Sequence, residues 1–254
     1  MAVKLLLLLV AAALLVAGCG GDDGESSSTG TDTTTPAAET TELRVYWLRD
    51  GKVWPALREV EETQAVATAA LSELFAGPTA QEEADLDFQT AVGSGFPDYD
   101  VLIEDGVATV NVDGEFSTEG LAQVVYTLTQ FSTVNSVEMD GKSFTRADFE
   151  DQTPPVLVES PLAFEEVTSP FRVTGTANTF EATFNYELTD TDGRIVDENF
   201  VTATSGTGTR GTFDFTTDAY SVPFDGIGAL IVFERSAKDG SRINLVEIPL
   251  RMEK

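Results

Sequence analysis

The alternation of apolar and polar positions divides the chain into four textures. Residues 5–17 form an unbroken apolar run, and residues 20–41, built from Gly, Asp, Glu, Ser, Thr, Pro and Ala, contain no large apolar side chain. Strand and helix periods then take over. Residues 43–48 are rich in aromatic and β-branched side chains and close at Asp50-Gly51, a pair that tolerates the positive φ of a tight hairpin. Between residues 62 and 75 the apolar positions Val66, Ala70, Leu71, Leu74 and Phe75 recur three or four apart until Gly77-Pro78, which predicts a helix and its stop. Two strands at 99–104 and 107–112 flank Asp105-Gly106. A second helix, capped by Ser117 or Thr118, shows the apolar face Leu121, Val124, Val125, Leu128 and Phe131, and residues 137–144 make a hairpin around Asp140-Gly141. The sum is an α+β domain over residues 42–146, two helices on a small sheet.

Residues 145–155 have no periodicity and end in Pro154-Pro155, which marks 147–153 as a linker. From residue 154 to 252 the pattern is one of strands alone, at 156–158, 171–176, 179–188, 195–202, 211–217, 229–235 and 243–250. Phe180, Ala182, Phe184, Tyr186 and Leu188 alternate with polar neighbours, as in a half-buried strand. This predicts an all-β immunoglobulin-like sandwich without its disulfide. A fragment beginning near Thr153 is expected to fold alone.

Charge changes the picture of possible partners. The chain carries 43 acidic against 15 basic residues, a formal net charge of -28. Such a surface repels phosphate backbones, which excludes nucleic acid, and it repels anionic lipid headgroups as well. There is no histidine. Serine and cysteine triads and most zinc chemistry lose their usual base and ligand. Asp190-Thr191-Asp192-Gly193 with Glu198 has part of the spacing of a calcium loop, but Leu188 stands at its first ligand position, so a hairpin turn is the better reading. Gly206-Thr207-Gly208 lies between strands and lacks the strand-to-helix setting of a phosphate loop. No cofactor and no metal are implied.

The lone cysteine, Cys19, follows the apolar run directly. Lys4 supplies a positive start, residues 5–17 an apolar segment too short to span a membrane, and Ala17-Gly18 the small residues before a cleavage site. Leu15-Val16-Ala17-Gly18-Cys19 resembles a lipobox, with Val16 where leucine is more usual. The resemblance implies a signal peptide over 1–18, cleavage between Gly18 and Cys19, and diacylglycerol on the Cys19 sulfur. Residues 19–41 then form a disordered tether holding the folded part outside the membrane.

Further resemblances lie in the folded part. Leu74-Phe75-Ala76-Gly77-Pro78, Gly95-Phe96-Pro97, Glu104-Asp105-Gly106-Val107 and the following Ala108-Thr109-Val110-Asn111-Val112, Thr127-Leu128-Thr129-Gln130-Phe131 and Val134-Asn135-Ser136-Val137 are similar to the GerMN domain of bacterial sporulation and spore germination proteins. Glu159-Ser160-Pro161, Thr168-Ser169-Pro170, Val173-Thr174-Gly175-Thr176-Ala177, Phe180-Glu181-Ala182 and Phe233-Glu234-Arg235-Ser236 resemble the immunoglobulin-like domain of bacterial spore germination. Both resemblances imply non-catalytic modules outside the cytoplasmic membrane. The expected function is a lipid-anchored binding or assembly module of the cell envelope, touching the membrane through acyl chains on Cys19 and other envelope proteins or the wall through its domains. The alternative is a peptidoglycan hydrolase using paired carboxylates.

Overall fold

The computed structural model describes residues 39–93 and 98–254, so Gly18, Cys19, the apolar run and Gly95-Phe96-Pro97 lie outside the described residues. β1 (Thr40–Arg49) and β2 (Lys52–Glu61) pair through a turn in which Asp50 and Gly51 both take positive φ, 53° and 70°. The same geometry at Asp105-Gly106 joins β3 (Tyr99–Glu104) to β4 (Val107–Val112), and at Asp140-Gly141 it joins β5 (Ser136–Met139) to β6 (Lys142–Phe144). Two successive left-handed residues give the turn whose twist matches the flanking strands, so each Asp-Gly pair sets a register. β1 reaches into the stretch read as tether, because Thr40 and Thr41 pair with Glu61 and Val60.

Helix α1 (Val66–Ala76) buries Ala67, Ala70, Leu71, Leu74 and Phe75, close to the face that the periodicity predicts. A short helix that the periodicity does not predict, α2 (Ala80–Leu86), follows Pro78. Its start is a capping box: the Thr79 hydroxyl accepts from the Glu82 amide while the Glu82 carboxylate accepts from the Thr79 amide. Helix α3 (Thr118–Leu128) begins at Ser117, whose hydroxyl accepts from Gly120 N at 3.1 Å. From Ala122 to Leu128 it is buried on every side, which makes it an interior helix rather than a one-faced cover. The β1–β2 hairpin and the sheet β3-β4-β5-β6 are separate, and one core joins both of them to α1 and α3.

The second half contains β7 (Val156–Ser160), β8 (Glu166–Val167), β9 (Arg172–Ala177), β10 (Thr183–Thr189), β11 (Ile195–Thr202), β12 (Gly211–Thr216), β13 (Gly226–Arg235) and β14 (Arg242–Met252). A sheet of order β12-β9-β7 faces one of order β11-β10-β13-β14-β8, with a core that includes Val173, Phe184, Leu188, Phe213, Leu230 and Leu250. The architecture is an α+β part followed by an immunoglobulin-like β-sandwich. Beyond the expected strands it has β8, a two-residue strand parallel to the end of β14, and the expected strand over 179–188 begins only at Thr183, because Phe180–Ala182 form a 3-10 turn with Glu181 and Ala182 at positive φ and Phe180 exposed. The Ser160-Pro161 and Ser169-Pro170 bonds of the Ser-Pro motifs are cis.

The segment read as a linker is a packed element. Residues Arg146–Gln152 form a 3-10 helix with Phe149 buried, and all described residues belong to one compact unit. The reason lies in β7. Successive strand residues point to opposite faces, and here each face has its own core: Val156 and Val158 pack into the sandwich, whereas Leu157 belongs to the core of the α+β part. One strand closes two cores, so the second half begins inside the first.

Candidate binding surfaces

The seam between the two halves is built around Arg146. Its guanidinium bonds Glu159 Oε1 from Nη1 at 2.8 Å and Thr129 Oγ1 from Nε at 2.8 Å, and lies over the Tyr126 ring at 4.5 Å and the Tyr46 ring at 5.5 Å. The Tyr46 hydroxyl donates to the same Glu159 oxygen. Burial first, and then the Glu159 charge, push the Tyr46 hydroxyl far above the ordinary tyrosine range, so it stays a neutral donor. Around this centre the Tyr126 hydroxyl meets Thr153 Oγ1 at 2.6 Å, and Arg210 holds Glu150 through Nε and Nη2 at 2.9 and 2.8 Å. Strands, the 3-10 helix and a sandwich loop are thus tied by charge-assisted bonds with little solvent around them.

A second set of contacts seals the free edge of β1. Gln123 and Thr127 of α3 and then Gln130, two residues beyond its end, spaced four and three residues apart, run along that edge. Gln123 Nε2 donates to Tyr46 O at 2.9 Å, Thr127 Oγ1 accepts from Tyr46 N at 3.1 Å, and Gln130 brackets Arg44 N and O at 2.7 and 2.5 Å. Leu48 exchanges both backbone bonds with Gln89 at 2.8 Å. Side chains of a buried helix therefore stand in for a missing strand, and β1 offers no unpaired edge at these positions. On β2 the outward position opposite Tyr46 is Pro55, which has no N–H to give.

Three grooves each carry three carboxylates. One of about 400 Å³ at the β3–β4 end holds Asp98, Asp100 and Asp113; a second, about 310 Å³, lies at the seam between Asp85, Asp87, Arg49 and the sandwich residues Phe164 and Glu247; a third, about 160 Å³, holds Glu42, Glu159 and Glu165 beside Arg44. The six carboxylates of the first two are on exposed residues, without the desolvation that a catalytic acid needs, and in the third the half-buried Glu159 is paired with Arg146 while Glu165 accepts from Leu162 N. Beside the second groove, Arg49 stacks over Trp54 at 5.4 Å while Trp54 Nε1 donates to Arg49 O at 3.2 Å.

The remaining sequence candidates resolve into structure. The Asp190 carboxylate accepts from the amides of Asp192 and Arg194, each at 2.9 Å, which closes a turn, while Glu198 stands exposed on β11. Thr207, in the glycine loop, has φ 55° and its hydroxyl accepts from Glu181 N at 3.0 Å, so this loop braces the entry to β10. The seam residues Tyr46, Arg146 and Glu159 are 100 and 13 positions apart along the chain, and no spacing announces them. The Gln123, Thr127, Gln130 stripe was visible in principle, as a polar row on an otherwise apolar helix.

Residues 44–143 match the family model of a sporulation and spore germination domain, and residues 155–241 match that of the immunoglobulin-like domain of bacterial spore germination. Among solved structures, the tandem GerMN domains of the sporulation protein GerM from Bacillus subtilis align at 26% identity over 46% of this chain and 43% of that one, with a TM-score of 0.32. The chain thus spans less than half of that structure. CopC from Methylosinus trichosporium OB3b aligns at 14% identity over 39% of this chain and 93% of its own, with a TM-score of 0.26. No curated protein matches.

Proposed function

We propose that this chain, in which a sporulation and spore germination domain is followed by the immunoglobulin-like domain of bacterial spore germination, works as a lipid-anchored, non-catalytic assembly module of the cell envelope. The observation that carries the reading is the seam. Arg146, Glu159, Tyr46 and the shared strand β7 hold the two domains as one body, which suits a scaffold that presents surfaces at fixed spacing better than a hinged pair closing on a substrate. The exposed carboxylates of the two larger grooves, and the pairing of Glu159 with Arg146 in the third, favour binding over acid–base hydrolysis of the wall. Acyl chains on Cys19 supply the membrane attachment in this reading, because a body of net charge -28 is repelled by anionic headgroups.

The test has two arms. In a host that processes lipoproteins the intact chain is expected in the membrane fraction and Cys19→Ala in the soluble fraction; membrane retention of Cys19→Ala would remove the anchor. Purified protein incubated with peptidoglycan is expected to release no soluble fragments. Release would make the chain a hydrolase.

A further inference from the structure

The edges of the sheets are not equivalent. β1 is sealed by α3, β2 carries Pro55 at its outer edge, β6 and β8 are three and two residues long, β7 is the seam strand, and on the edge strand β12 both backbone groups of Thr212 are bonded by Thr204. Of the five-stranded sheet, β11 remains as the long outer strand. Its hydrogen-bonding parity can be read from one contact: the Phe200 amide is satisfied by the Asn199 side chain at 2.9 Å, so it turns away from β10 and toward the free edge. By the alternation of an antiparallel pair, Glu198 and Thr202 direct their backbone groups the same way.

The side chains above this edge carry a second message. Val201 packs into the sandwich core, so Phe200 and Glu198 point to the outer face. Phe200 is 64% exposed and Ile195 on the same strand is 47% exposed; the next positions across the sheet from Phe200 are Asn185 and Phe233, whose buried ring is covered by the Arg235 and Arg242 guanidiniums. On β3, another open edge, Leu102 and Ile103 are 50% and 37% exposed, but the neighbours Asn111, Thr109 and Val107 make a mainly polar platform without an aromatic ring at the edge. Glu198 has no ion pair among the described residues, whereas the Glu187 opposite it is held by Arg242 at 2.6 Å.

We propose that the β11 edge is a strand-addition site for an extended segment of a basic envelope protein, with an apolar side chain on Phe200 and a cationic one on Glu198. The proposal rests on the reading of this chain as an assembly module and names its docking surface. The outward backbone groups of Glu198 and Thr202, and that of Phe200 once its amide exchanges the Asn199 side chain for a strand, supply backbone bonds, the exposed Phe200 ring supplies apolar contact, and the charge of -28 selects a basic strand while keeping copies of this chain apart.

The probe is a blocked nine-residue peptide in which threonine alternates with lysine and valine, titrated onto the full-length protein and followed by fluorescence anisotropy and amide exchange. Binding is expected to slow exchange at Glu198, Phe200 and Thr202 and to weaken at least about tenfold between roughly 0.05 and 0.5 M salt, since the exposed charges are then screened. Phe200→Ala and Glu198→Lys, both exposed positions, are each expected to weaken it about tenfold or more, against little change for the charge-matched control Glu104→Lys on β3. Methylation of alternate peptide nitrogens is expected to abolish binding. Slowed exchange on β3 or nowhere, equal loss in Glu104→Lys, undiminished binding of the methylated peptide, or no binding at millimolar peptide would each overturn the site. None of these outcomes bears on the membrane fractionation or the peptidoglycan assay, so the assembly reading fails or survives separately.

Discussion

Single residues decide how the two halves are joined. Arg146 is stacked between two tyrosine rings and paired with Glu159, and both side chains are largely withdrawn from water, 26% and 18% exposed. Arg146→Met leaves the Glu159 carboxylate facing the buried Tyr46 hydroxyl without its cation. The expected loss is about 2–4 kcal/mol in urea unfolding, below the cost of breaking a fully buried pair because some solvent reaches this one. Glu159→Gln, which keeps the shape, is expected to cost less. Titration bounds the stable range from both sides. Glu82 and Glu150 feel burial, which raises their pKa, but Arg58 and Arg210 outweigh it and hold both below the ordinary value. Their contribution is complete above about pH 4.3 and is lost as pH falls through the depressed folded-state values. Burial raises the Tyr46, Tyr126 and Tyr186 hydroxyls and pushes Tyr220 up to about 12. A raised folded pKa gives stability that is complete below about pH 10 and fades as pH rises beyond it. Melting temperature is therefore expected to be flat near neutrality, to fall below about pH 4, and to fall again above about pH 10 together with the rise of phenolate absorbance. Absence of the acid limb would contradict the carboxylate assignment, and absence of the alkaline limb the tyrosine assignment.

Elements owe their places to a few positions of close approach. Gly175, in the Gly-Thr-Ala motif of β9, sits where β7 and β12 both press in: a Cβ there would lie 2.1 Å from Leu157 O and 2.6 Å from the Phe213 ring. The first of these is backbone and cannot rotate aside. Gly175→Ala is expected to force β7 away from β9, costing at least about 1–3 kcal/mol and disturbing both cores, because β7 closes both. Chemical denaturation reads the cost, and an unchanged midpoint would show that the strands yield freely. The α3 stripe works in the opposite sense, filling an edge instead of keeping it clear. Gln123→Leu removes the partner of Tyr46 O and of Ala91 N together. Each orphaned backbone group costs about 1–3 kcal/mol when buried, so faster amide exchange along β1 is expected in addition to lower stability.

At the scale of the whole molecule the shared strand makes separation costly. A fragment beginning near Thr153 keeps the residues of the sandwich core but exposes Leu157 and leaves Glu159 without Arg146 and Tyr46. It is expected to fold and to melt below the intact chain, which should unfold in one calorimetric transition. Two well-separated transitions in the intact chain would show that the seam adds little. The same rigidity matters for the proposed docking strand, since β11 then stands at a fixed position relative to the first domain.

Local rules were enough for much of this. The Asp-Gly hairpins, the stop at Gly77, the core face of α1, the strand-only second half and the character of both domains follow from turn stereochemistry and from periods of two and 3.6 residues, which act within a few neighbours. The capping box of Thr79 and Glu82 was equally local, and reading it would have revealed α2. What tertiary structure alone decided depends on residues distant in the chain. Arg146 reads as part of a polar linker until Glu159, Tyr46 and Tyr126 surround it, and Leu157 reads as one more strand residue until its face is given to the other core. An isolated strand does not reveal whether its edge is free. β1 lost its edge to a helix 80 residues away and β11 kept its own, because the satisfaction of backbone groups is settled by whatever packs beside them.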